Sequence, residues 1–263
     1  MLQTIQKIGP VLDLFTPERP EWGVAEVAEK LRLPRSSTHA ILASLADTGL
    51  LAPTARGRYR IGWRIAELSE TLRASLDVRA HAVPVLRELV GTFGETVHLA
   101  VMERDKVLYV DKIVGTHMVN VVGARVGAHL DAHCTAVGKV LLAQRDPADL
   151  DRWLARAELR RLTPATITDP AMLRNELHQV RVAGCAYDVG EAVAEVHCVA
   201  APVTDDRGVV VAAVSMTVPA SRFLPRKAEL KRAVMSAGGR ISAAIAAATG
   251  AAPRPARRRK GTH

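Results

Sequence analysis

The chain has 263 residues, 48% hydrophobic and 24% charged, a globular composition that excludes a wholly disordered polypeptide. No apolar run approaches the roughly 20 residues that span a bilayer, and three cysteines are too few for a disulfide framework. A membrane-spanning helical protein and a small secreted scaffold are therefore excluded, and one large domain or two smaller ones are expected.

The formal charge of +9 is unevenly spread. Residues 1–75 carry 10 basic and 8 acidic side chains, residues 76–251 carry 21 and 19, and the last twelve residues add +5. Residues 32–64 hold six arginines against Asp47 alone, a second local excess inside a segment that reads as folded.

The opening MLQTIQKIGP has no basic head, apolar stretch or cleavage site, so a cytoplasmic protein is expected. Ile5, Ile8, Leu12 and Phe15 have helical spacing, and Pro10 predicts a helix that kinks or begins there. TPERPEW reads as a loop by its two prolines. VAEVAEKL is a short amphipathic helix, Arg32–Leu33 a tight connection, and Pro34 fits the first turn of a helix that Gly49 ends. In that helix Ile41, Leu42 and Leu45 face inward, while Ser36, Ala40, Ala43 and Asp47 face outward, flanked by Ser37 and His39. Small, hydroxylated residues near a helix start let it enter a DNA major groove. Arg35, Ser36, Ser37, Thr38 and His39 are the residues predicted to reach phosphates or base edges there. LLAPTARGRYRIG follows as two strands around an Arg-Gly-Arg tip, a wing whose Arg56, Arg58 and Arg60 would lie on the phosphate backbone. Residues 1–62 thus read as a winged helix-turn-helix DNA-binding domain.

Residues 63–77 read as a helical linker and 78–250 as a second domain. Val78–Val90 is an amphipathic helix ended by Gly91 and Gly94. ETVHLAVMERDKVLYVDKIVG predicts two strands around a turn at Glu103–Lys106, and HMVNVVGARVG a further strand. HCTAVGKVLLAQ begins a helix at Cys134–Thr135, burying Val137, Val140 and Leu141, with Gly138 allowing close backbone approach. Residues 146–183 form two helices around LTPATITDP; CVAAPV and GVVVAAVSMTV are buried strands around Thr204–Gly208; the last helix spans about Arg226 to Thr249. Strands and helices without regular alternation predict an α+β fold. The basic segment 251–263 is expected to be a disordered tail.

VAEVAEKLRLPRSSTHAILASLADTGLL with GRYRIG, then ETVHLAV, HCTAVGK, LTPATITDP and GCAYDVGEAVAEVHCVAAPV, resemble the IclR-type transcriptional regulators over residues 1 to about 248. The resemblance implies a GAF-like effector-binding domain with a mixed or antiparallel sheet and a small-molecule pocket. It further implies a ligand-responsive repressor or activator that binds a palindromic double-stranded DNA operator as a homodimer or tetramer, without membrane attachment or cofactor. Pocket positions carried over are Ala136 and Val137 at a helix start, suited to an organic or aromatic acid, with Asp188, Cys198, Ser215 and Thr217 as polar lining. Two departures, Glu195 where the family has Gly and Cys185 where it has an aromatic, are expected to reshape or enlarge that pocket.

Cys134 beside His133, and Cys198 beside His197, also raise a zinc site or a cysteine-dependent hydrolase. No C-x-x-C spacing supports a metal, and neither pair sits in a nucleophile motif, so neither metal nor catalysis is expected. The remaining alternative is a metabolite-binding protein whose winged helix serves protein contacts.

Overall fold

A computed structural model describes residues 3–75, 77–117 and 124–248, and the chain divides into two units, 1–76 and 77–263. The first unit contains helices α1 (Gln3–Leu12), α2 (Val24–Leu31), α3 (Arg35–Asp47) and α4 (Arg64–Ser75). Its sheet comprises β1 (Glu21–Gly23), β2 (Leu51–Pro53) and β3 (Arg58–Ile61), antiparallel in the order β1-β3-β2. Val11, Trp22, Val27, Ile41, Leu42, Leu45 and Leu51 make its core, so the helical periodicity of α2 and α3 is satisfied on one side.

Pro10 lies inside α1, so of the two alternatives the helix does not begin there. Two expectations change in this unit. Pro34 caps α3 from outside, in extended conformation, and α2 ends on Arg32 in the left-handed region with φ 53°. TPERPEW is not all loop, because its end supplies β1, where Trp22 pairs with Tyr59 and donates its indole N–H to the Leu14 carbonyl at 2.8 Å. A three-residue strand is too short for periodicity to reveal, and only burial of the indole against the rest of the head makes it.

The second unit begins with α5 (Asp77–Phe93), which runs through Gly91 and stops at Gly94, φ 69°. The hairpin β4 (Thr96–Glu103) and β5 (Lys106–Ile113) turns on Arg104 and Asp105, both at positive φ, the geometry a tight antiparallel connection requires. After β6 (His129–Leu130) come α6 (Ala136–Ala143), α7 (Pro147–Arg156), α8 (Pro170–Ala183), β7 (Ala186–Val189), β8 (Val196–Thr204), β9 (Val210–Pro219) and α9 (Ala220–Ala248). The six strands form one antiparallel sheet in the order β6-β5-β4-β9-β8-β7. One face packs on α6, α7 and α8 through Ala100, Tyr109, Ala186, Ala200 and Ala213. Residues of alternate parity, such as Ala201, face α9, where Gly238 approaches the Pro202 carbonyl too closely to admit a Cβ. The α+β reading therefore holds, with an antiparallel sheet.

Most of the strand expected in HMVNVVGARVG lies outside the described residues, as does the basic tail. The described part, residues 124–127, is a turn leading to β6. Helix α9 starts before the expected Arg226, with Pro225 inside it, and β7 was not foreseen. No helix among the described residues is long and apolar enough to cross a membrane.

Candidate functional sites

On α3, Arg35, Ser36 and His39 are exposed, and Ser37 is half-buried along a groove between α1 and α3. Thr38 is different: it is fully buried, and its hydroxyl donates to the Pro34 carbonyl at 3.0 Å. Its expected contact with DNA is therefore withdrawn, because the helical repeat puts it on the same side as Ile41, Leu42 and Leu45.

The wing closes through Thr54 N–H donating to the Arg58 carbonyl at 2.8 Å, with Gly57 at φ 67°. Arg56 and Arg60 are exposed, and neither they nor Arg32 and Arg35 form an ion pair among the described residues. Arg58 is occupied inside the head. The unforeseen β1 places Gly23 opposite it, and its guanidinium donates to the Glu21 carbonyl at 3.0 Å and to Glu26 at 2.7 Å. Glu26 also accepts from the Gly23 N–H at 2.8 Å and pairs with Arg19 at 2.9 Å. The Gly23 N–H, together with the two arginines, holds the Glu26 carboxyl below its ordinary range. Arg58 as a free phosphate contact is thus corrected to a structural ion pair.

In the second unit a cavity of about 130 Å³ opens between the sheet and the start of α6. All six residues placed there by resemblance line it: Ala136, Val137, Asp188, Cys198, Ser215 and Thr217. Thr135 caps α6, its hydroxyl oxygen accepting from Gly138 N–H at 3.2 Å. The N–H groups of Ala136 and Val137, in the first turn, have no carbonyl four residues behind them within the helix. Gly138 is required at this point, since a Cβ there would lie 2.2 Å from the Ala132 carbonyl oxygen. Asp188, Cys198 and Thr217 are consecutive cross-strand partners on β7, β8 and β9, and Ser215 shares the face of Thr217.

Burial pushes the Asp188 carboxyl up to about 7, although its Oδ1 accepts from the N–H groups of Glu191 at 2.7 Å and Ala192 at 3.4 Å. Behind that loop, Lys139 on α6 is 1% exposed and donates to Glu191 at 2.5 Å and to Glu176 at 3.2 Å. Thr163 and Thr166 donate their hydroxyls to the Glu191 carbonyl at 3.3 and 2.7 Å, tying the LTPATITDP loop to the same segment.

Sequence reasoning missed His98 and Tyr109 in the cavity wall. The alternation Thr96, His98, Ala100 along ETVHLAV placed them on one face, but which face met the pocket depends on the β4–β9 pairing. Neither departure is itself in the lining. Glu195 is exposed, in the segment whose Ala192, Val193 and Val196 do line the cavity, and Cys185, buried just before β7, has the parity of Tyr187 rather than Asp188.

Both cysteine–histidine neighbours are unlike a nucleophile and base. Burial raises the Cys134 thiol to about 12, and Cys134 donates to the Asp131 carbonyl. Burial and then Asp188 raise Cys198 further, while His197 packs edge-on against Phe223. His133 Nε2 lies 3.0 Å from the Arg160 carbonyl oxygen. No group of three metal-binding side chains occurs among the described residues.

A winged helix-turn-helix on one unit, with a cavity in a separate sheet-and-helix unit, defines a transcriptional regulator carrying an effector domain. Residues 71–243 match the model of the bacterial transcriptional regulator IclR C-terminal domain, and residues 4–55 that of the IclR helix-turn-helix domain. The chain belongs to the IclR family of transcriptional regulators. It is 36% identical over 243 residues to the HTH-type transcriptional regulator Rv1719 of Mycobacterium tuberculosis, covering 92% of each chain. It is 30% identical over 247 residues to the HTH-type transcriptional regulator XynR of Escherichia coli, covering 93% of this chain and 98% of that one. Among solved structures it is similar to an IclR homolog from Microbacterium hydrocarbonoxydans complexed with 4-hydroxybenzoate. That match has a TM-score of 0.82 and 27% identity, covering 93% of this chain and 100% of that one.

Proposed function

We propose that this regulator binds a palindromic double-stranded DNA operator in the cytoplasm as a homodimer or tetramer, and represses or activates in response to a small organic or aromatic acid. In this reading residues 1–62 bind DNA, 63–77 link, and 78–250 bind the effector. Arg35, Ser36, Ser37 and His39 enter the major groove while Arg56 and Arg60 hold the backbone. Sequence is read by the small polar side chains, and affinity comes from the arginines through counterion release.

The observation that carries the reading is the start of α6 opening into a largely apolar cavity that holds a few polar side chains. A helix N-terminus presents N–H groups and the positive end of its dipole, which favour a carboxylate. The 4-hydroxybenzoate held by the solved relative supports the same ligand class. Control follows only if the acid binds the DNA-competent and DNA-incompetent states with different affinity.

Fluorescence anisotropy with the DNA upstream of the protein's own gene tests both halves. Operator binding should weaken steeply with salt and shift when a cognate acid is added. Absent or salt-insensitive DNA binding overturns the operator reading. If no acid from a central and aromatic panel changes either thermal melting or DNA affinity, ligand control is overturned.

A further inference from the structure

Strand β4 puts His98 in the cavity wall, opposite Ser215 in the β4–β9 register. Its imidazole is 1% exposed and lies nearly flat on Tyr109, with ring centroids 4.5 Å apart. Nδ1 is 3.3 Å from Thr217 Oγ1, which is itself 3.3 Å from Cys198 Sγ. The other ring nitrogen, Nε2, is buried and has no hydrogen-bond partner among the described residues. Buried polar atoms are almost always paired, so a buried nitrogen on a ring that borders the cavity calls for a partner from within it.

The character of that partner follows from the ring. Burial, and then the charge of Lys112, push the imidazole down to about 3, so it is neutral at working pH. A neutral imidazole has one donor and one acceptor nitrogen, and the Thr217 hydroxyl can face Nδ1 in either sense. Nε2 is then an acceptor or a donor according to that sense. A hydroxyl satisfies it in both cases. A carboxylate satisfies it only where Nε2 carries the hydrogen, and a C–H in neither case.

We propose that His98 Nε2 reads an uncharged hydroxyl on the effector, so that the cavity takes a small hydroxylated monocarboxylic acid with its carboxylate at the start of α6. This rests on the effector-pocket reading above and adds the residue that selects among acids. The α6 N–H groups bind any carboxylate, whereas His98 discriminates a hydroxy acid from the same acid without the hydroxyl. A site built to hydrogen-bond a hydroxyl rejects the analogue lacking it, because its own polar atom is left unpaired.

Isothermal titration of the full chain with matched pairs tests this: glycolate and acetate, lactate and propionate, 4-hydroxybenzoate and benzoate. The best-bound hydroxy acid should exceed its partner by about tenfold or more. His98→Phe, which keeps a ring to stack on Tyr109, should bring that ratio to within about twofold. Where the variant does not fold, the 15N resonance of His98 Nε2 in the histidine-labelled wild-type chain gives the second readout. It should shift with the hydroxy acid and stay unmoved with the deoxy acid. Equal affinities within every pair, a ratio retained in His98→Phe, or an Nε2 resonance indifferent to the hydroxyl each overturn the role of His98 and leave the pocket standing. If none of the six acids binds, the effector-pocket reading falls and the inference falls with it.

Discussion

Replacing Lys139 by Met removes the cation from the most buried ion pair of the second unit. The ammonium is 1% exposed and sits 2.5 Å from Glu191, whose side chain is 7% exposed, and 3.2 Å from Glu176, which is 35% exposed. Glu176 can turn to water; Glu191 cannot, and burial already raises its carboxyl against the pull of Lys139. Breaking a buried pair by removing one partner costs about 3–5 kcal/mol. The loss is bounded by the option of protonating Glu191, and this sets its pH dependence. The native pKa of Glu191 lies above its ordinary 4.5 and moves higher without Lys139, so the variant's native state holds the proton more tightly than its unfolded state. Its stability is therefore greatest below about pH 4.5 and falls as pH rises through the native pKa. Urea unfolding followed by circular dichroism at pH 5 and pH 7.5 measures the difference. Lys139→Met with Glu191→Gln should recover most of the loss, since it leaves no buried charge. A single variant within about 1 kcal/mol of wild type at pH 7.5, the worth of an exposed pair, would refute the reasoning. So would a double variant no more stable than the single one.

Asp188, raised from 3.8 to about 7, contributes stability that is complete below about pH 3.8 and is lost as pH climbs to about 7. The linkage amounts to about 4 kcal/mol, and Asp188→Asn should flatten that slope in denaturation curves taken across the interval. Gly138→Ala drives a methyl against the Ala132 carbonyl and should cost about 3 kcal/mol by thermal melting, whereas Gly239→Ala, with open space around it, should not. Thr38→Val should lower the stability of the head by about 1 kcal/mol and leave operator preference unchanged, a contrast that binding to a randomised operator library would test against Ser36→Ala. Arg56→Ala and Arg60→Ala should each reduce the salt slope of DNA binding by about one, while Arg58→Ala lowers the melting temperature with the slope kept; a slope loss for Arg58 alone would reverse the assignment.

The helices were legible because each carries its own evidence. Ile41, Leu42 and Leu45 recur on one face of α3, and Asp146 and Asp169 cap α7 and α8 by accepting from N–H groups two or three residues ahead. Strands were legible when long, as in β4, β5, β8 and β9, or when a turn signal joined them, as Arg-Gly-Arg joins β2 and β3, and missed in β1 and β7, where three or four residues give alternation no length to show. Thr38 and Arg58 illustrate the limit within the DNA-binding head. Residue type suggested contact with DNA for both, yet one turns into the core and the other meets Glu26, 32 residues away. The cavity residues on α6, β7, β8 and β9 came from the motif resemblance; periodicity alone would have called them core.

By itself the sequence determined the order and kind of the main elements, the winged helix-turn-helix and the α+β class of the larger unit. Those properties depend on side chains a few positions apart: helical repeats, caps, and glycines where the backbone must be left-handed. Only the tertiary structure decided which charges are spent inside the molecule and which polar atoms face the cavity. Thr217 and His98 stand 119 residues apart and meet because β4 and β9 pair, and Glu26 reaches Arg58 because β1 adds to the wing. Strand pairing and burial are collective outcomes of packing, and no local pattern records them.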